Sequence, residues 1–276
     1  MRRTFRQGRW RPFVAMVGVQ TALLLRSPLT FAAGLLVSFG GVLALGLMVQ
    51  MFAPAAGAGA PLEVWVMFYG YLLYVFLSDS LWRIGFSVRP EQIQGTFEAL
   101  QLTPASALAG LLARVVPLFT LTSCGALLAL ALASLIFGGL PLHNPGLALG
   151  ILAATLAGTL GVGFCFAAYT LLAGEAAAAT GNFLEFGLLF LCAMLFPFRT
   201  LPGPLLVVSR LLPLSYGVDA FRSALLGFPP GYPELAPLQT ELWIVAVFGL
   251  ASPLLGIALY RAVILYLRRS GRLGQY

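Results

Sequence analysis

Six long runs of apolar residues dominate the chain, and each is long enough, or nearly so, to cross a membrane as a helix. A helix needs about 20 mainly apolar residues to span a bilayer. The runs are Leu29–Phe52, Val64–Phe86, Ala107–Phe137, Leu147–Ala173, Phe183–Phe198 and Leu242–Leu267. Membrane-spanning β-strands are shorter and alternate in polarity, whereas a helix satisfies its own backbone hydrogen bonds in lipid. The pattern therefore predicts an all-α integral membrane protein with six transmembrane helices.

The segment between the last two runs, 199–240, is too apolar for a free loop and too rich in proline to cross the membrane twice. It predicts two short helices, Leu205–Leu212 and Tyr216–Leu226, packed into the outer mouth of the bundle. Non-helical backbone at membrane depth needs protein or water around it. Ser215 or a neighbour is expected to cap the second helix, with Asp219 in its first turn near the positive end of the helix dipole.

The remaining segments complete a single domain, 1–276. Phe5–Leu25 mixes arginines with aromatic and apolar residues, which is typical of an amphipathic helix lying in the membrane interface. We expect this interfacial part to occupy 1–27, the six-helix bundle 28–267 and a short tail 268–276.

Composition supports a protein dissolved in lipid. Hydrophobic residues make up 60% of the chain and charged residues 9%, whereas soluble domains carry about 25% charged residues. The mean hydropathy is +0.94. The net charge of +7 does not predict a nucleic-acid partner, because the arginines lie beside the apolar runs and form no basic stripe on a soluble face.

The arginines instead predict orientation, because positive charge collects on the cytoplasmic side of membrane proteins. With six spans, both termini share a side with most of these arginines. That side holds Arg2, Arg3, Arg6, Arg9, Arg11, Arg26, Arg83, Arg89, Arg114, Arg261, Arg268, Arg269 and Arg272, against Arg199, Arg210 and Arg222 opposite. Both termini are therefore predicted to be cytoplasmic.

The sequence offers no catalytic or metal-binding residues. A phosphate-binding loop needs a lysine and a paired-histidine zinc site needs two histidines, but the chain has no lysine and only His143, which we interpret as a solvated loop residue. Cys124, Cys165 and Cys192 lie inside apolar runs and are interpreted as small buried hydrophobic residues.

Three acids close to or within the apolar runs need an explanation, because charge inside a membrane is costly. Asp79 lies one helical turn before Arg83, so we predict an internal ion pair between them. Glu175 and Glu185 are predicted to lie near the inner end of the fifth span. These positions favour a structural or coupling role over a proton path through the membrane.

A polar island between the second and third runs carries the most specific signal. Residues 91–106 read Glu-Gln-Ile-Gln-Gly-Thr-Phe-Glu-Ala-Leu-Gln-Leu-Thr-Pro-Ala-Ser, which resembles the cytoplasmic coupling segment of type-2 ABC transporter permeases. The matching residues are Glu91, Gly95, Thr96, Glu98, Leu100, Thr103, Pro104 and Ser106. Phe97 stands where leucine is more usual, and Gln92 and Gln94 replace charges often seen before the glycine.

A second stretch, Pro-Leu-Ser-Tyr-Gly-Val-Asp-Ala-Phe-Arg, resembles a motif that follows the fifth span in the same family. Its matching residues are Pro213, Tyr216, Asp219 and Arg222. Asp219 and Arg222 are three apart on a helix and are able to pair. A structural ion pair and a substrate contact both remain open for them.

The resemblance implies the permease subunit of an ATP-driven exporter in the bacterial inner membrane. In the family, two copies of a separate ATPase bind ATP and Mg, and a second permease, identical or paralogous, completes a dimer across the first and fifth spans. This chain itself is then no enzyme and binds no cofactor. The implied substrate is amphiphilic: a drug, a lipid or a lipid-linked saccharide.

The coupling mechanism that we expect is mechanical. Pro90 should break the second span, and Gln92–Gln101 should form a short surface helix that Pro104 stops. Glu91 and Glu98 would face the cytoplasm, and the helix would enter a groove of the ATPase. The alternatives from other classes are an ion- or proton-coupled secondary transporter and a membrane enzyme acting on lipids.

Overall fold

The computed structural model describes residues 17–19, 21–22, 40–41, 62–95, 107–137 and 139–270. The predicted first span and the amphipathic amino-terminal helix lie largely outside these residues, and the tail after residue 270 lies outside them entirely. The elements of the described part are helices, and four of them are long and apolar enough to cross a membrane. Two further helices, Gly203–Leu211 and Pro213–Leu226, meet at a bend and raise that number to five if they count together as one span.

The first helix described in full is interrupted by one wide turn. Helix α1, Leu62–Asp79, continues through a π-helical turn, Ser80–Gly85, to the short helix α2, Val88–Ile93. Together they form one apolar path of 32 residues, longer than the predicted run Val64–Phe86. We call residues 80–85 the wide turn.

Pro90 does not break this span as predicted. It lies in the first turn of α2, where backbone N–H groups have no acceptor within the helix, so proline is tolerated there. The chain leaves the helix at Gln94 and Gly95, and Gly95 has φ +68°, a conformation that favours glycine. The predicted helix Gln92–Gln101 is therefore wrong at its start, and 96–101 lie outside the described residues.

The other helices follow the apolar runs closely. They are α3, Ala107–Phe137; α4, Pro145–Ala173; α5, Ala176–Leu191; α6, Gly203–Leu211; α7, Pro213–Leu226; and α8, Leu238–Ser270. The bounds predicted for α3 are confirmed. Helix α8 extends beyond its predicted run at both ends.

Helix α5 differs most from its prediction of Phe183–Phe198. It begins at Ala176, because four consecutive alanines, the best helix formers, follow Glu175. It ends at Leu191, and the chain then turns at Cys192 and Ala193, where Ala193 has φ 46°. The expectation of a short fifth span is confirmed, but Glu185 lies within the helix and not at its start.

The two short helices between α5 and α8 are present and meet at a bend of 97°. Helix α7 begins at Pro213, whose fixed φ suits the first helical position. The expected cap by Ser215 is wrong, because the N-cap is Leu212 without a side-chain hydrogen bond. Asp219 consequently lies in the middle of α7 and not in its first turn.

Two buried clusters define the ends of the bundle. At the end that we call the lower end, Val88, Leu111, Leu171 and Leu267 pack together. At the opposite, upper end, a second cluster includes Trp65, Ala133, Ala148 and Val245. Helices α1, α4 and α8 therefore run in one direction and α3 runs in the other. The start of the polar island and the end of α8 lie at the same end, as the predicted orientation requires.

Helices α4 and α8 meet backbone to backbone along a line of glycines. A Cβ atom added to Gly161 would lie 2.2 Å from the carbonyl carbon of Ser252, and one added to Gly249 would lie 2.6 Å from the carbonyl oxygen of Ala154. One added to Gly256 would lie 2.5 Å from the carbonyl oxygen of Gly161. Small residues allow such close approach in membranes.

Replacing Gly161 with alanine is expected to lower the melting temperature of the purified protein. The added methyl group has no space, and overpacking costs about 1–3 kcal/mol. Gly150→Ala is the matched control on the same helix, because a Cβ there has nothing within 4 Å. Scanning fluorimetry of both variants in detergent measures the effect. Equal melting temperatures would show that α4 and α8 separate at no cost.

Candidate functional site

The lower end of the second span is fastened to α3 by an ion pair. A guanidinium nitrogen of Arg114, on α3, bonds to the carboxylate of Glu91 in α2. The other guanidinium nitrogen donates to the backbone carbonyl of Ser87 at 3.3 Å. Glu91 is expected to face the cytoplasm, and that stays a prediction; the structure adds that its carboxylate, 26% exposed, is engaged within the chain.

A second contact fastens the same short helix to α4. The side-chain amide of Gln92, which is buried, donates to the carbonyl of Leu171 at 3.3 Å. Leu171 lies in the last turn of α4, where the carbonyl groups receive no hydrogen bond from an N–H group of the same helix. The base of the polar island is thus held on two sides, by α3 and by α4.

The island itself leaves this base at Gly95. The other residues predicted to contact an ATPase lie outside the described residues: Thr96, Glu98, Leu100, Thr103 and Pro104. Their roles stay predictions. What the structure establishes is where the segment begins, next to the junction of α2, α3 and α4.

The ion pair predicted inside the second span is confirmed. Nε of Arg83 lies 2.9 Å from Oδ1 of Asp79. The hydroxyl of Thr122, on α3, donates to the other oxygen of Asp79. Arg83 and Thr122 therefore satisfy both oxygens of the half-buried carboxylate, and the Thr122 contact ties α1 to α3.

Glu185 forms a separate polar contact on the other side of α1. Its carboxylate accepts a hydrogen bond from the Tyr74 hydroxyl at 2.9 Å and another from Trp82 Nε1 at 2.6 Å. Only 7% of Glu185 is exposed. Two neutral donors thus hold α5 against α1 and the wide turn. Tyr74 and Trp82 were not singled out in the sequence, although both place a polar atom inside an apolar run.

The second motif builds a buried framework at the upper end. Arg222 donates to the carbonyls of Ala193 at 2.8 Å, Met194 at 2.7 Å and Phe196 at 3.3 Å. These carbonyls follow the end of α5. The guanidinium therefore closes the turn by which the chain leaves that helix, in a space where Gly70 of α1 leaves room for it.

Asp219 has its own partners and does not pair with Arg222. Its Oδ2 accepts the backbone N–H groups of Glu234 and Leu235, each at 2.7 Å. Asp219 is 0% exposed and Arg222 1% exposed. Of the two alternatives left open, the ion pair is not formed, since each side chain has backbone partners instead. Both side chains are buried, which favours a structural role over a substrate contact.

Tyr216 and Pro213 fix the bend between α6 and α7. The Tyr216 hydroxyl donates to the carbonyl of Arg210 at 2.9 Å, and Pro213 begins α7. Nearby, Arg199 bonds to Glu63 at 3.2 Å on the exposed rim. All four residues predicted for this motif therefore have contacts or positions that stabilise the local structure of the upper end.

No metal-binding cluster of three His, Cys, Asp or Glu residues occurs in the described part of the chain. Cys192 is buried as expected, Cys165 is half-buried, and Cys124 is exposed on the outer face of α3, which corrects its prediction. His143 lies in a loop, and its Nδ1 is 3.2 Å from the carbonyl of Leu225.

Comparison with known families gives a match over the middle of the chain. The model of a family described as ABC-2 type transporter matches residues 84–226, just over half of the chain. This range begins inside the wide turn and ends with α7, so it contains both the polar island and the upper-end motif. No curated protein matches the chain.

Proposed function

Because the chain belongs to the ABC-2 type transporter family, we propose that it is the permease of an ATP-driven exporter and that it receives force through residues 91–104. The family makes it a multi-pass membrane permease that is not itself catalytic. The export direction, an amphiphilic substrate and a second permease are parts of the proposal, as are two ATPase copies carrying ATP and Mg and a bacterial inner-membrane location with both termini cytoplasmic.

The observation that carries the coupling proposal is the attachment of the island's base. Glu91 bonds to Arg114 on α3, and Gln92 bonds to the end of α4. A force applied beyond Gly95 therefore reaches two further helices without passing through a loose loop. A base held by one helix alone would bend before it moved its neighbours.

The alternative, an ion- or proton-coupled carrier, needs acids available for ion exchange near the middle of the membrane. Asp79 is paired with Arg83, and Glu185 is occupied by two donors. We therefore favour the ATP-driven mechanism, under which the chain transports nothing in the absence of its ATPase.

Reversing the charge of Glu98 is the test of the coupling proposal. We expect Glu98→Arg to abolish ATP-dependent transport in vesicles containing the complete complex, while the permease still folds and inserts. Gly95→Trp is expected to act alike, because its positive φ is strained for any side chain. Vesicle uptake of substrate and vanadate-sensitive ATP hydrolysis are the measurements.

Glu63→Arg is the control for this test, because Glu63 is an exposed acid at the upper end with a side chain 53% exposed. It should transport at nearly the normal rate, since exposed ion pairs contribute little. Normal transport by Glu98→Arg would contradict the coupling role, and transport without any ATPase would contradict the ATP-driven mechanism itself.

A further inference from the structure

The lower end carries a cavity that none of the contacts above explains. It has a volume of about 440 Å³ and lies between α2 and the turn from α4 to α5. Most of its lining is apolar. Its polar lining consists of Arg89, Gln94 and Glu175.

Arg89 is the unusual residue of this cavity. It is only 8% exposed, yet no hydrogen bond or ion pair engages its guanidinium anywhere in the described residues. The guanidinium lies over Gly174, where an added Cβ would meet its nitrogens at 3.7 and 3.8 Å. The residue is mostly buried, but its guanidinium opens onto the cavity, and an arginine stays charged there. The cavity beside it therefore fits an anion.

The second charge in the lining narrows the class of ligand. Glu175 is exposed and lines the same cavity, but it does not come within ion-pair distance of Arg89. One molecule carrying both a phosphate and an ammonium group would satisfy both side chains at once. Arginine recognises phosphate through paired N–H donors, and a carboxylate accepts hydrogen bonds from an ammonium group.

The apolar lining indicates that this molecule is a lipid. Phe86, Pro90, Ile93 and Ala178 surround the two charges, and Ile93 is 66% exposed. The cavity lies where the spans end, which is the depth of phospholipid headgroups when the bundle sits in a bilayer. An acidic side chain from a partner protein would satisfy Arg89 but would be repelled by Glu175.

We propose that the cavity binds the headgroup of a phosphatidylethanolamine, with its phosphate on Arg89 and its ammonium group on Glu175. The lipid then fills the space between the base of the polar island and the turn from α4 to α5. Lipid binding is measured on the permease without its ATPase, so its failure and the failure of the proposed transport function are separate results.

The experiment titrates the full-length purified chain with dihexanoyl phosphatidylethanolamine below its micelle concentration and counts bound lipids by native mass spectrometry. We expect Arg89→Gln to weaken binding about tenfold, the usual effect of losing a charge-assisted hydrogen bond. Arg89→Lys should keep part of the affinity. Glu175→Gln should weaken binding of the ethanolamine lipid but not of dihexanoyl phosphatidylglycerol, which lacks the ammonium group.

Arg269→Gln is the matched control, because Arg269 is an exposed arginine at the same end of the bundle. Its lipid binding should equal that of the wild type, and melting temperatures confirm that every variant is folded. Unchanged binding by Arg89→Gln would overturn the proposal. So would equal affinity for soluble phosphoethanolamine, or an Arg89→Gln defect confined to ATPase association.

Discussion

Replacing Arg222 with methionine is expected to unfold the upper end of the protein. The guanidinium donates to three backbone carbonyls that follow α5, and methionine fills similar space without any donor. Each buried carbonyl left without a partner costs about 1–3 kcal/mol. The combined loss is a large share of the stability of a typical domain, so we expect a lower melting temperature in detergent and little protein in the membrane fraction.

Arg210→Met is the matched control, since Arg210 is an exposed arginine in the neighbouring helix α6. Its melting temperature should stay close to that of the wild type. Arg222→Lys should give an intermediate value, because an ammonium group reaches fewer of the carbonyls. A melting temperature for Arg222→Met equal to that of Arg210→Met would contradict the structural role of Arg222.

Charge reversal at the base of the polar island has the second largest expected effect. Glu91→Arg places two arginines against each other, and Arg114→Glu places two acids together. The pair is mostly buried, with 26% of the Glu91 side chain and 19% of the Arg114 side chain exposed. We expect each single reversal to lower ATP-dependent transport about tenfold, which corresponds to about 1.4 kcal/mol.

The double variant Glu91→Arg with Arg114→Glu rebuilds the pair and is expected to recover most of the transport. A control swap of Glu63 and Arg199, an exposed pair at the upper end, should change transport little in the single or the double form. If the double variant is no better than the singles, the attachment of α2 to α3 does not transmit force.

The long helices were predictable because apolar length decides them. Ala107–Phe137 was correct at both ends, since polar or glycine-rich residues bound that run on each side. The start of α5 was predicted wrongly, because hydropathy alone does not register the high helix propensity of Ala176–Ala179. The wide turn at Ser80–Gly85 has no signature in the sequence, since its apolar residues read as ordinary helix.

The site was predictable only where partners are close in sequence. Asp79 and Arg83 lie one turn apart, and their pair formed as expected. The same reasoning failed for Asp219 and Arg222, because backbone groups brought by the fold compete for them. Arg114 lies far from Glu91 in the sequence, so no spacing rule connects the two.

The glycine contacts between α4 and α8 limit how this permease can change shape. Gly161 and Gly256 touch backbone to backbone, and the Phe248 ring packs directly against the backbone at Gly158, so the two helices have little room to shift against each other. Sliding α4 along α8 would drive backbone carbonyl groups into side chains. We therefore expect α4 and α8 to move together during transport, and any passage to open where this pair borders the other helices.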